Sequence, residues 1–78
     1  MKYLLGVVGA GKIGSGIIKG LIEKKALDND AIIISDISDG MLDSVKREYG
    51  INTTKNNREV FSSSDIIILA VKPNLIGP

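Results

Sequence analysis

The feature that most constrains this chain lies near its start. An almost continuous apolar run, Tyr3 to Val8, breaks into Gly9-Ala10-Gly11-Lys12-Ile13-Gly14, and the hydrophobic period then changes. Continuous apolarity rich in β-branched residues marks a strand covered on both faces, as in a parallel sheet. From Lys12 to Lys25 the residues Ile13, Ile17, Ile18, Leu21 and Ile22 form a stripe with Lys19, Glu23 and Lys24 off it, which predicts a helix. A strand that enters a helix through G-x-G-x-x-G suits a phosphate. Gly9 permits the tight turn, Gly11 lets an anion approach the backbone, and Gly14 lets helix and strand pack closely. The helix N-terminus adds unpaired N–H groups and about half a unit of positive charge. The rival is a tight turn that binds nothing. Placement directly between strand and helix, in a βαβ unit of the right length, favours the ligand.

Ala31 to Asp36 predicts a second buried strand. Ser38 is a candidate N-cap for a second helix, with Asp39 in its first turn, Gly50 as its stop, and Met41, Leu42, Val45 and Tyr49 on its inner face. Ile51 to Thr53 reads as a short third strand. Asn56 followed by Glu59 resembles a capping box opening a third helix through Phe61, and Ser62-Ser63-Ser64-Asp65 reads as a polar turn. Ile66 to Val71 is a further strand, stopped by Lys72-Pro73. The order β-α-β-α-β-α-β predicts an α/β fold, a Rossmann-type doubly wound parallel sheet with right-handed crossovers. Such a sheet normally continues beyond a fourth strand, so residues 1–78 are expected to be a truncated N-terminal dinucleotide-binding domain.

Composition narrows the chemistry. Cysteine and histidine are both absent, which removes disulfides, thiolate catalysis, Cys/His metal sites and imidazole acid–base work. A net charge of +1 and 4% aromatic residues argue against nucleic acid as a partner. No apolar run approaches membrane-spanning length, and no cleavage-type segment follows the N-terminal run. The expectation is a cytoplasmic protein with no metal site.

Gly6-Val7-Val8-Gly9-Ala10-Gly11-Lys12-Ile13 nearly spells the triphosphate-binding loop G-x-x-x-x-G-K-[ST], but Ile13 stands where a hydroxyl would hold Mg²⁺ and Gly6 falls inside the strand. Lys12 reads instead as a solvent-facing cation near the phosphates. Ser35 and Asp36 end the second strand. Asp36 comes about 20 residues after the glycine turn, where a dinucleotide site places the acid that accepts from the adenosine ribose hydroxyls. A competing reading has Asp36 and Asp39 simply framing the second helix's N-terminus. No pair of carboxylates has a spacing that suggests hydrolysis or metal binding.

With these elements placed, the chain resembles the N-terminal domain of the pyrroline-5-carboxylate reductase family. The resemblance runs from Leu5-Gly6-Val7-Val8-Gly9-Ala10-Gly11-Lys12-Ile13-Gly14 through Ile18-Lys19-Gly20-Leu21 and Tyr49-Gly50-Ile51 to Asp65-Ile66-Ile67-Ile68-Leu69-Ala70-Val71-Lys72-Pro73. The closing Ala-Val-Lys-Pro discriminates best, because related β-hydroxyacid dehydrogenases usually end this strand differently. The resemblance implies that Ala70, Val71, Lys72 and Pro73 lie beside the nicotinamide half of the cofactor. It also implies NAD(P)H-dependent reduction of 1-pyrroline-5-carboxylate to L-proline, with the imino-acid site and the dimer contacts in a helical domain beyond these residues. No catalytic residue is expected in this chain, and the chain alone is expected to be inactive. The chain departs from the family pattern at Lys12, commonly asparagine, and at Asp36-Ile37, where many members carry a small polar residue and then a basic one suited to the 2′-phosphate of NADPH. Asp36 therefore favours NADH. The alternatives are another Rossmann reductase, of β-hydroxyacid or ketopantoate type, and a non-catalytic NAD(P)-binding sensor. A homo-oligomer is expected, because an apolar Ile66-Ile67-Ile68-Leu69 edge left unpaired invites a second chain.

Overall fold

The computed structural model describes residues 2–70. Its elements are β1 (Tyr3–Val8), α1 (Lys12–Glu23), β2 (Ile32–Ser35), α2 (Asp39–Tyr49), β3 (Asn52–Thr54), α3 (Asn57–Ser63) and β4 (Ser64–Leu69), with a 3-10 turn at Asn29–Ala31. All pairings are parallel and the strand order is β3-β2-β1-β4. This is the α/β architecture the strand and helix periods predict. β1 is gripped in one register from both sides: Leu5 faces Ile32 and Ile66, Gly6 faces Ile33 and Ile67, and Val7 faces Ile34 and Ile68.

The two faces of the sheet are unequal. On one, Leu5, Val7 and Ile34 pack with Ile18 of α1 and with Leu42 and Val45 of α2. On the other, Tyr3, Val8 and Ile33 pack with Val60 of α3 in a smaller cluster. The ends of α2 form as the sequence predicts. The Ser38 hydroxyl accepts from the Met41 N–H at 3.3 Å, a cap worth about 1 kcal/mol, and Gly50 adopts the left-handed conformation at φ 68°.

Several boundaries differ, each for a local reason. α1 stops at Glu23 rather than Lys25, because Lys25 turns left-handed at φ 54°. The Lys25 and Ala26 N–H groups then bond back to the Ile22 and Leu21 carbonyls, closing the helix in the Schellman manner without a glycine. β2 begins at Ile32, since Ala31 belongs to the preceding 3-10 turn, and it ends at Ser35. β3 is displaced one residue, to Asn52–Thr54, and Ile51 is buried in the core before it.

The capping box at Asn56 does not close. Its side chain accepts from the Arg58 N–H at 2.9 Å, but its own N–H donates to the Thr54 hydroxyl at 3.1 Å instead of to Glu59. The polar turn at Ser62 to Asp65 is absent. α3 instead persists through Ser63, with the hydroxyls of Ser62 and Ser63 donating back to the Glu59 carbonyl, and β4 starts at Ser64. β4 accordingly begins two residues before the expected Ile66 and ends at Leu69.

Candidate dinucleotide site

The glycine turn is held at the C-terminal ends of three strands. Gly9 has φ 107°, a region closed to most side chains, and its N–H donates to the Ser35 carbonyl at 2.8 Å. On the other side the Ala70 N–H donates to the Val8 carbonyl at 2.8 Å. A Cβ on Gly14 would collide with the Gly9 carbonyl oxygen, so that position admits only glycine. Gly11 is the opposite case. It is the N-cap of α1 in an extended conformation, and a Cβ there would meet nothing within 4 Å.

That open space is built for negative charge. α1 has no side-chain cap and no acidic residue in its first turn, and Lys12 occupies its first position. The first N–H groups of a helix have no partner within it, and the helix dipole makes this end positive. A lysine here opposes the dipole, an arrangement that an anion relieves. A cavity of about 360 Å³ opens at this point, lined by Gly11, Lys12, Ile13, Met41 and Ala70. These residues fit a dinucleotide phosphate, because there is room over Gly11, unused donors, and no carboxylate in the first turn of α1 to repel it.

Met41, which the period places on the inner face of α2, is corrected, and Ile13, which belongs both to the α1 stripe and to the glycine motif, lies off the core. Ile13 is 56% exposed and Met41 is exposed as well, and they form an apolar wall of the cavity. The inner positions belong to Gly14 and Ile18 in α1 and to Leu42 and Val45 in α2.

Asp36 lies just past β2, with one carboxylate oxygen accepting from the Ala10 N–H at 2.7 Å and the other from the Ser38 N–H at 2.9 Å. The sequence points to a ribose acceptor here, and nothing in it signals the bond to the glycine turn. Ser35 is fully buried, and its hydroxyl donates to the Asn57 side-chain oxygen at 2.6 Å. No local signal in the sequence points to that partner, because it comes from the start of α3. The structure thus brings Gly9, Ala10, Gly11, Lys12, Ile13, Gly14, Ser35, Asp36 and Ala70 to one end of the sheet. Val71, Lys72 and Pro73 lie outside the described residues. Gly6 has a packing role: a Cβ there would collide with the Ser64 side chain and Val60, so the triphosphate-loop reading loses its first glycine. No cluster of three or more metal-ligating acids lies among the described residues, and no helix among them is long and apolar enough to cross a membrane.

The family model described as NADP oxidoreductase, coenzyme F420-dependent, matches residues 4–77. The chain belongs to this family. The nicotinamide dinucleotide class of cofactor expected from the glycine turn is the class this family uses. The resemblance to pyrroline-5-carboxylate reductases also holds. The chain is 35% identical over 73 residues to pyrroline-5-carboxylate reductase of Methanosarcina acetivorans, covering 94% of this chain and 27% of the relative. It is 39% identical over 72 residues to pyrroline-5-carboxylate reductase 3 of Danio rerio, covering 92% and 25%. The solved pyrroline-5-carboxylate reductase of Coxiella burnetii superposes with a TM-score of 0.87 at 32% identity, over 97% of this chain and 28% of that one. The chain spans about a quarter of the length of these relatives.

Proposed function

We propose that the protein carrying this chain reduces 1-pyrroline-5-carboxylate to L-proline, and that residues 1–78 form the front of its dinucleotide-binding domain. The observation that carries this reading is the open cradle over Gly11 at an uncapped helix end, beside Ala70, in a chain similar to named pyrroline-5-carboxylate reductases. A reduced nicotinamide dinucleotide supplies the hydride that adds to the C=N carbon of the imino acid. The chain's own work is to bind and orient. The α1 N-terminus and the space over Gly11 receive the pyrophosphate, Lys12 adds attraction, Asp36 accepts from the adenosine ribose, and Ala70 lies toward the nicotinamide half.

The same reading favours NADH over NADPH, although the family's description names NADP. A carboxylate about 4 Å from a 2′-phosphate costs about 4 kcal/mol at an effective dielectric of 20, and less with screening. A cytoplasmic homo-oligomer is part of the proposal, with the exposed β4 edge as one route to association. The test is proline-dependent reduction of NAD⁺ and NADP⁺ by the full-length protein. We expect turnover with a preference for NAD⁺. Cofactor binding without turnover would overturn the enzymatic reading, and an NADP⁺ preference unchanged in Asp36→Asn would overturn the role given to Asp36.

A further inference from the structure

We propose that Asp36 is a positioning residue for the glycine turn, latching the phosphate cradle shut from the end of β2, in addition to any contact with the ribose. This rests on the reading of the turn as a dinucleotide site. Ala10 is fully buried between Gly9 and Gly11. A buried backbone N–H needs a partner, and at this hinge between strand and helix no ladder or helix bond supplies one. The partner is the Asp36 carboxylate, at 2.7 Å, reaching across from the neighbouring strand end. A hydrogen bond to an ionised acceptor is roughly twice as strong as a neutral one. The second oxygen holds the N–H of Ser38, the N-cap of α2. One carboxylate thus ties the entries of α1 and α2 together at the mouth of the site.

This changes what a substitution at Asp36 does. If the residue only repelled a 2′-phosphate, Asp36→Ala would release NADPH binding and leave the turn intact. A latch predicts that Asp36→Ala frees the Ala10 N–H and loosens the cradle for both cofactors. Asp36→Asn keeps an acceptor for Ala10 and removes the charge, so the two substitutions separate the roles.

The test is amide hydrogen exchange at Ala10 in the full-length protein without ligand, with Val7 in β1 as the reference, followed by titration with NADH and NADPH. We expect Ala10 exchange in Asp36→Ala to rise about ten-fold or more relative to Val7, with NADPH bound about ten-fold more weakly than by Asp36→Asn, which lacks the same charge. Asp36→Asn should keep Ala10 protected within a few-fold and bind NADPH better than the parent does. Unchanged Ala10 protection in Asp36→Ala, or NADPH binding by that variant as tight as by Asp36→Asn, would overturn the latch. If Asp36→Ala also exposes Val7, Asp36→Asn decides: Ala10 protection supports the latch, and free exchange overturns it. Failure of the parent protein to bind either dinucleotide would instead sink the cofactor reading and leave the exchange result standing.

Discussion

β2 and β4 are near copies in sequence, Ile32-Ile33-Ile34-Ser35 and Ile66-Ile67-Ile68-Leu69, and both pair with β1 in the same register. Their environments differ sharply. Every residue of β2 is buried, whereas in β4 Ile66 is 56% and Leu69 60% exposed. β2 has β1 on one side, β3 on the other, and helices over both faces. β4 has a neighbour on one side only among the described residues. An isoleucine run therefore signals a strand, while the share of each side chain that leaves water depends on where the sheet places it. The two flanking strands also serve the site from opposite sides, β2 through Ser35 and Asp36 and β4 through Ala70.

The largest expected effect breaks the comparison directly. Ile34→Ala, in the core, should cost about 2–5 kcal/mol, whereas Ile66→Ala, facing Leu5 from the exposed flank, should cost less than about 1 kcal/mol. Denaturant unfolding of both variants measures this, and equal losses would show that the β4 flank is as buried as β2. Gly6→Ala comes next, because the added methyl would strike Ser64 and Val60 where β4 and α3 pack on β1. We expect a loss of about 1–3 kcal/mol, partly recovered when Ser64→Gly is added. Ser64→Ala should move the other way. Its hydroxyl is buried with no hydrogen-bond partner among the described residues, so removing it should be neutral or stabilising by about 1 kcal/mol. A loss above that would reveal a partner for the hydroxyl.

Much of this was legible in the residues because local signals agreed with the global fold. The strand-to-helix change of period, Ser38 as a cap and Gly50 as a stop each act within a few residues. Contacts made across the sheet were not legible. Asp36 reaching Ala10, Ser35 meeting Asn57, and Gly6 clearing room for Ser64 depend on register between strands distant in sequence. The third helix shows the limit of local rules. Asn56 and Glu59 have capping-box spacing, yet Thr54 takes the N–H that the glutamate would have satisfied. The stripe on α1 erred at Ile13 because a glycine, Gly14, occupies the inner position of the first turn, and hydrophobicity alone does not register that.

The central claim is that the turn is shaped for a dinucleotide phosphate and not only for folding, and Gly11 separates the two. Its φ of −72° suits alanine, and a Cβ there would meet no protein atom within 4 Å. Gly11→Ala should therefore keep stability within about 1 kcal/mol, since lost unfolded-chain entropy offsets a poorer N-cap. Calorimetric titration of this variant with NADH, alongside its thermal unfolding, is the most direct measurement. The account predicts near-parental unfolding with cofactor affinity reduced about ten-fold or more, the loss of about 1.4 kcal/mol expected when the methyl holds the phosphate off the backbone. Parental affinity in the folded variant would contradict it, because the space over Gly11 would then have no ligand to admit.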